Sequence, residues 1–109
     1  MSLEFEPYQV PLNADNPALS SPEVELELHN LNRSWEVVEG KKLRLMTAFS
    51  SFKDAMVFVV KVAKLADSEG HHPDIMISYT QVMIELYTHT VGALTVKDFI
   101  MARKIEQLL

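Results

Sequence analysis

From residue 22 onward the chain switches between two hydrophobic rhythms. Val24, Leu28 and Leu31 recur at helical spacing behind Ser21-Pro22, a capping hydroxyl followed by proline at the first helical position, and predict a helix over roughly 22–31. The period then drops to two. Trp35 and Val37 alternate with Glu36 and Val38, Gly40 marks a turn, and Leu43, Leu45, Thr47 and Phe49 alternate with Arg44, Met46 and Ala48, which predicts a hairpin. Ser51 with Asp54 resembles a capping box in which aspartate replaces glutamate, and Phe52, Ala55, Met56, Val59, Ala63 and Ala66 return to helical spacing as far as Gly70. The β-branched residues within that stretch leave a strand as the competing reading. Ile75, Ile77 and Tyr79, then Val82, Ile84, Leu86 and Thr88, predict two further strands turning at Thr80-Gln81. Thr95, with Asp98 three residues on, opens a last helix whose stripe is Phe99, Ala102, Ile105 and Leu109. The order α-β-β-α-β-β-α predicts an α+β fold, a four-stranded antiparallel sheet with three helices packed on one face. Residues 1–20 carry Pro7, Pro11 and Pro17 and little periodicity, and read as an extended N-terminal arm ahead of one domain over 21–109.

Composition narrows the function classes. A chain of 109 residues, 48% hydrophobic and 23% charged, fits one domain with one core. The absence of cysteine removes disulfides, thiolate metal sites and cysteine nucleophiles. A net charge of −5 argues against direct nucleic-acid binding, which needs lysine and arginine to neutralise phosphates. The longest apolar run, Ala55 to Val60, is far short of the roughly 20 residues that span a bilayer, and the acidic start lacks a basic leader, so a cytoplasmic protein with no membrane partner is expected. That same run is apolar on nearly every side, which would suit a helix covered by the sheet on one face and by another copy of the chain on a second.

The candidate chemistry lies in histidine. His71-His72 stand just before the third strand and His89 at the end of the fourth, so a hairpin would bring all three together. Each has a plainer reading. Histidines after a helix C-terminus serve the helix dipole, Asp98 three residues after a capping threonine serves the helix start, and Asp67 is placed to be merely solvated. Three histidines and a carboxylate also have the donor chemistry of a zinc site. His29 has no such neighbours.

Taken as a set, Asp67-x-x-x-His71-His72-Pro73, then Tyr79, His89 and Asp98, resembles the signature of the pterin-4a-carbinolamine dehydratase family, over about residues 21–109. Gly70 and Thr90 stand where many members are acidic, and Ile75 where vertebrate-like members have tryptophan, which points to a microbial-type member. The resemblance implies a hydro-lyase that converts 4a-hydroxytetrahydropterin to quinonoid dihydropterin, with His71, His72 and His89 catalytic. Histidine suits proton transfer because its reference pKa of about 6.5 keeps both forms accessible near neutrality. Asp67, Pro73, Thr88, Thr90, Val91 and Asp98 are implied to bind or back the substrate, with Asp98 behind the site. The resemblance further implies a pterin as the small-molecule partner, no metal and no redox cofactor, and a homodimer or homotetramer. A noncatalytic dimerisation module of the same fold is the alternative it carries, since vertebrate relatives also serve as dimerisation cofactors of a transcription factor.

Overall fold

A computed structural model describes residues 16–109 of the chain. The elements are α1 (Ser21–His29), β1 (Glu36–Val38), β2 (Lys42–Ala48), α2 (Phe52–Glu69), β3 (Asp74–Ser78), β4 (Gln81–Leu86) and α3 (Val96–Glu106). This is the expected order, with three helices and one four-stranded antiparallel sheet arranged β1-β2-β4-β3. Of the expected arm, residues 1–15 lie outside the described residues. Residues 16–20 form neither helix nor strand, and the Leu19 amide donates to the Leu94 carbonyl at 2.8 Å.

Register explains which face is core. Leu43↔Leu86, Leu45↔Ile84↔Ile75 and Thr47↔Val82↔Ile77 share one face, and the helices pack there with Ala55, Phe58, Val62, Phe99, Met101, Ala102 and Ile105. Arg44↔Glu85↔Asp74 and Met46↔Met83↔Met76 share the other. Because side chains alternate with period two, one residue of slip would exchange these faces, which pins the register.

Ser51, Gly70 and Thr95 cap their helices where the sequence places them, while two other local signals act one residue away. The N-cap of α1 is Ser20, not Ser21. Its amide donates to Glu23 Oε1 at 2.7 Å and its hydroxyl accepts from the Glu23 amide, so Glu23 at the third helical position selects the cap. At α2 the Ser51 hydroxyl accepts from the Asp54 amide, but the shorter aspartate turns to the Ser50 hydroxyl, at 3.2 Å, and only half the box forms. The second hairpin turns at Tyr79-Thr80 rather than Thr80-Gln81, because Ser78 pairs with Gln81. That puts Tyr79 at φ 54°, an uncommon conformation for a non-glycine residue. Helix α2 buries Ala55, Phe58, Val62 and Ala66 and leaves Val57 and Val60 exposed, so helix rather than strand prevails over 55–66.

Candidate active site

Two chain segments build the site. Helix α2 ends on Gly70, whose left-handed φ of 67° lets its amide close on the Ala66 carbonyl at 2.9 Å and turns the chain so that His71 and His72 follow at once. Strand β4 ends at Leu86, and the chain continues with the same alternation: Thr88 points inward, while Tyr87 and His89 lie on the other side with their rings stacked, centroids 4.2 Å apart and planes 18° apart. The loop after it is tight. The Thr88 amide donates to the Ala93 carbonyl at 3.0 Å, the Gly92 amide donates to the Thr88 carbonyl at 2.7 Å, and Gly92 takes a φ of 71°.

Asp98 organises the interior side. It is 0% exposed, and its Oδ1 accepts from His71 Nε2 at 2.7 Å while its Oδ2 accepts from the Thr88 hydroxyl and the Thr95 amide, each at 2.9 Å. A carboxylate oxygen has no proton to give, so His71 carries its proton on Nε2 and its free ring nitrogen is Nδ1. Since the Thr88 hydroxyl gives its proton to Asp98, Thr95 donates in the 2.7 Å bond between the two threonines. His71 itself is 7% exposed. His72 is different: its Nε2 lies 3.0 Å from Asp67 Oδ1 with both side chains largely in solvent, where an ion pair contributes little.

Gly70, His71, His72, Thr88, His89, Thr90 and Lys97 line one open cavity of about 220 Å³. That volume is below the roughly 300–1,000 Å³ of pockets that enclose drug-sized ligands, and suits a small ring bound partly in solvent. Thus the three histidines share a cavity with Thr88 and Thr90. Asp67, Pro73, Val91 and Asp98 do not line it. Asp98 lies inside the core with both its oxygens taken by protein donors, so neither is free to meet a ligand in the cavity. Among the described residues no three His, Asp or Glu side chains are arranged to hold a metal ion.

Lys97 was not anticipated. It is only 9% exposed and has no carboxylate partner among the described residues. A cue was present, because a lysine in the first turn of a helix faces the positive end of the helix dipole and needs another reason to be there. Behind Tyr87, Lys42 Nζ sits 5.3 Å from the ring centroid, a cation–π contact of about 0.5–1 kcal/mol at a half-exposed site. Lys42 also reaches Glu85 Oε1 at 3.4 Å, and Arg44 binds Glu85 Oε2 through Nε at 2.7 Å. The Arg44 hydrogen bond holds the Glu85 carboxyl below its ordinary value; burial opposes this and the Lys42 charge assists it.

Comparison with known proteins gives a consistent set of likenesses. The family model described as pterin 4 alpha carbinolamine dehydratase matches residues 17–108. A protein of Alkaliphilus metalliredigens, provisionally named pterin-4-alpha-carbinolamine dehydratase, is 34% identical over 98 residues, covering 90% of this chain and 88% of its own. A protein of Nostoc with the same provisional name is 43% identical over 90 residues, covering 83% and 95%. Among solved structures, a transcriptional coactivator/pterin dehydratase from Brucella melitensis superposes with a TM-score of 0.78 at 29% identity, covering 84% of this chain and 97% of that one.

Proposed function

The chain belongs to the pterin 4 alpha carbinolamine dehydratase family, and from that premise we propose that its histidine cavity removes water from 4a-hydroxytetrahydropterin by general acid–base catalysis, returning the reduced pterin to use. In this elimination the C4a–O bond breaks as the hydroxyl takes a proton and leaves as water. A ring N–H loses its proton, and the electrons of that bond become the new double bond of the quinonoid dihydropterin.

His71 is the base. The observation that carries this is the buried Asp98 bonded to its Nε2, which leaves Nδ1 as the proton acceptor and stabilises the imidazolium once the proton arrives. His89 is the acid: it is exposed and has no hydrogen-bond partner among the described residues, so it can refill its proton from water. His72, tethered to Asp67, orients the hydroxyl. Thr88 and Thr90 line the ring's pocket. No helix among the described residues is long and apolar enough to cross a membrane, and we place the reaction in the cytoplasm.

The test is dehydration of freshly generated 4a-hydroxytetrahydropterin. His71→Ala and His89→Ala should each lose about 10²- to 10⁴-fold in rate, and the double variant less than the product of the two. Near wild-type turnover in both single variants overturns the assignment. The exposed Val57 and Val60 on α2 support a homo-oligomer, dimer or tetramer, and a monomer in sedimentation at micromolar concentration would contradict it. The Brucella protein's description as a coactivator supports a second reading, an interaction module of the same fold. A wild-type chain inactive in the assay would favour it.

A further inference from the structure

His71 is fixed by the buried Asp98 and His72 meets Asp67 at the surface, whereas His89 is exposed and makes no hydrogen bond or ion pair among the described residues. A histidine side chain in solvent samples several rotamers, and a proton donor is effective only when held within hydrogen-bond reach of the reacting oxygen. Among the described residues the His89 ring stacks on Tyr87, with centroids 4.2 Å apart and planes 18° apart. From this, and resting on the dehydratase reading above, we infer that Tyr87 is a positioning residue that holds the His89 imidazole over the cavity.

Three observations carry it. The two rings are nearly parallel, and a stack of that kind limits rotation about both side-chain torsions of His89 while leaving its nitrogens, at the ring edge, free to exchange protons. The platform is itself anchored. Leu43 pairs with Leu86, so one step further Lys42 and Tyr87 are cross-strand neighbours, and the Lys42 ammonium lies 5.3 Å from the tyrosine ring. Lys42 is in turn held by Glu85, which Arg44 grips from β2, so the tyrosine rests on the central strand pair of the sheet. Finally, Tyr87 does not line the cavity, so its action on the reaction runs through His89 and not through substrate.

The experiment compares Tyr87→Leu, which keeps an apolar side chain on the strand but no ring, with Tyr87→Phe, which keeps the ring. Two quantities are read in each full-length variant: kcat and KM in the dehydration assay, and the chemical shifts of the His89 ring protons by NMR, with thermal melting as the control for folding. In the wild type those protons should sit upfield under the tyrosine ring current, given the 4.2 Å stack. Tyr87→Leu should lose about 10- to 100-fold in kcat with KM little changed, the scale expected when a reacting group is misplaced rather than removed. Its His89 signals should move downfield, and Tyr87→Phe should restore both quantities. Unchanged His89 shifts in Tyr87→Leu would show that there is no stack. Moved shifts with an unchanged kcat would show that the stack positions nothing, and either result overturns the inference. The NMR arm needs no turnover, so an inactive wild type would sink the dehydratase reading while the stack was still tested. If Tyr87→Leu melts below the assay temperature, Tyr87→Met provides the ring-free comparison.

Discussion

Replacing Asp98 with asparagine probes the site at its most constrained point. The Oδ2 position accepts from the Thr95 amide and the Thr88 hydroxyl, so the single oxygen of asparagine must stay there. Its NH₂ group then occupies the Oδ1 position, 2.7 Å from His71 Nε2. Two N–H donors cannot face one another, so His71 moves its proton to Nδ1 and presents the cavity with a donor instead of a lone pair. As a base it is disabled, and the rate should fall about 10²- to 10⁴-fold. Stability should change little, by about 1–2 kcal/mol, since the cap survives and only the carboxylate charge at the helix N-terminus is lost. Asp98→Ala is the contrasting case. It strands three buried donors, at about 1–3 kcal/mol each when taken singly, and should cost at least about 3 kcal/mol. The assays are turnover of freshly made substrate, thermal melting, and the ¹⁵N shifts of the His71 ring, which report the tautomer directly. An Asp98→Asn variant that has switched tautomer yet turns over within about tenfold of wild type refutes the reasoning, because a positioned base supplies more than that.

Arg44→Met tests the Glu85 cluster through pH. The native Glu85 carboxyl is held below its ordinary value of 4.5, so its stabilisation is present above that value and is lost as pH falls through the lowered native one. The variant should be about 1–2 kcal/mol less stable near neutrality, where burial leaves the carboxylate poorly paired; melting curves of the two proteins should converge on acidification below pH 4.5, and a constant gap would refute this. Lys97→Met tests the buried cation of the cavity. KM for the pterin should rise about tenfold, about 1.4 kcal/mol of binding, while the melting temperature holds or rises because an unpaired charge is costly to bury. A lower melting temperature with unchanged KM would make Lys97 structural.

What could be read in the sequence was what periodicity and spacing encode. The alternation of Leu43 and Leu45 with Arg44 and Met46 marks the core face, and the bracketing of β3 and β4 by His71-His72 and His89 predicts that they meet. What stayed hidden depends on partners far along the chain. Whether Asp98 would touch substrate or stand behind it turns on His71, 27 residues away. Burial of Lys97 follows from how α3 packs, which its own helical spacing does not specify. The Tyr87–His89 stack needs the chain to keep its strand alternation three residues past the end of β4, where an isolated bridge pairs Thr88 with Ala93. One-residue errors at Ser20 and Tyr79 share a cause, since neighbouring Ser20-Ser21 and Tyr79-Thr80-Gln81 each offer alternatives that only the hydrogen bonds decide.

The far end of α3 has its own anchor. The Glu106 carboxylate accepts from the Asn32 amide at 2.9 Å, the Arg33 amide at 2.7 Å and Trp35 Nε1 at 2.9 Å, and Arg103 donates to the Asn30 carbonyl at 3.0 Å. These bonds span 71 to 74 residues, so they close a long loop and come with a large loss of chain entropy. A helix is stiff along its axis, and eight residues of it extend about 12 Å. Glu106 therefore acts as the fixed end of a strut whose other end is Asp98: slackening the connector between α1 and β1 lets the strut slide, and the first thing to lose alignment is the oxygen against His71.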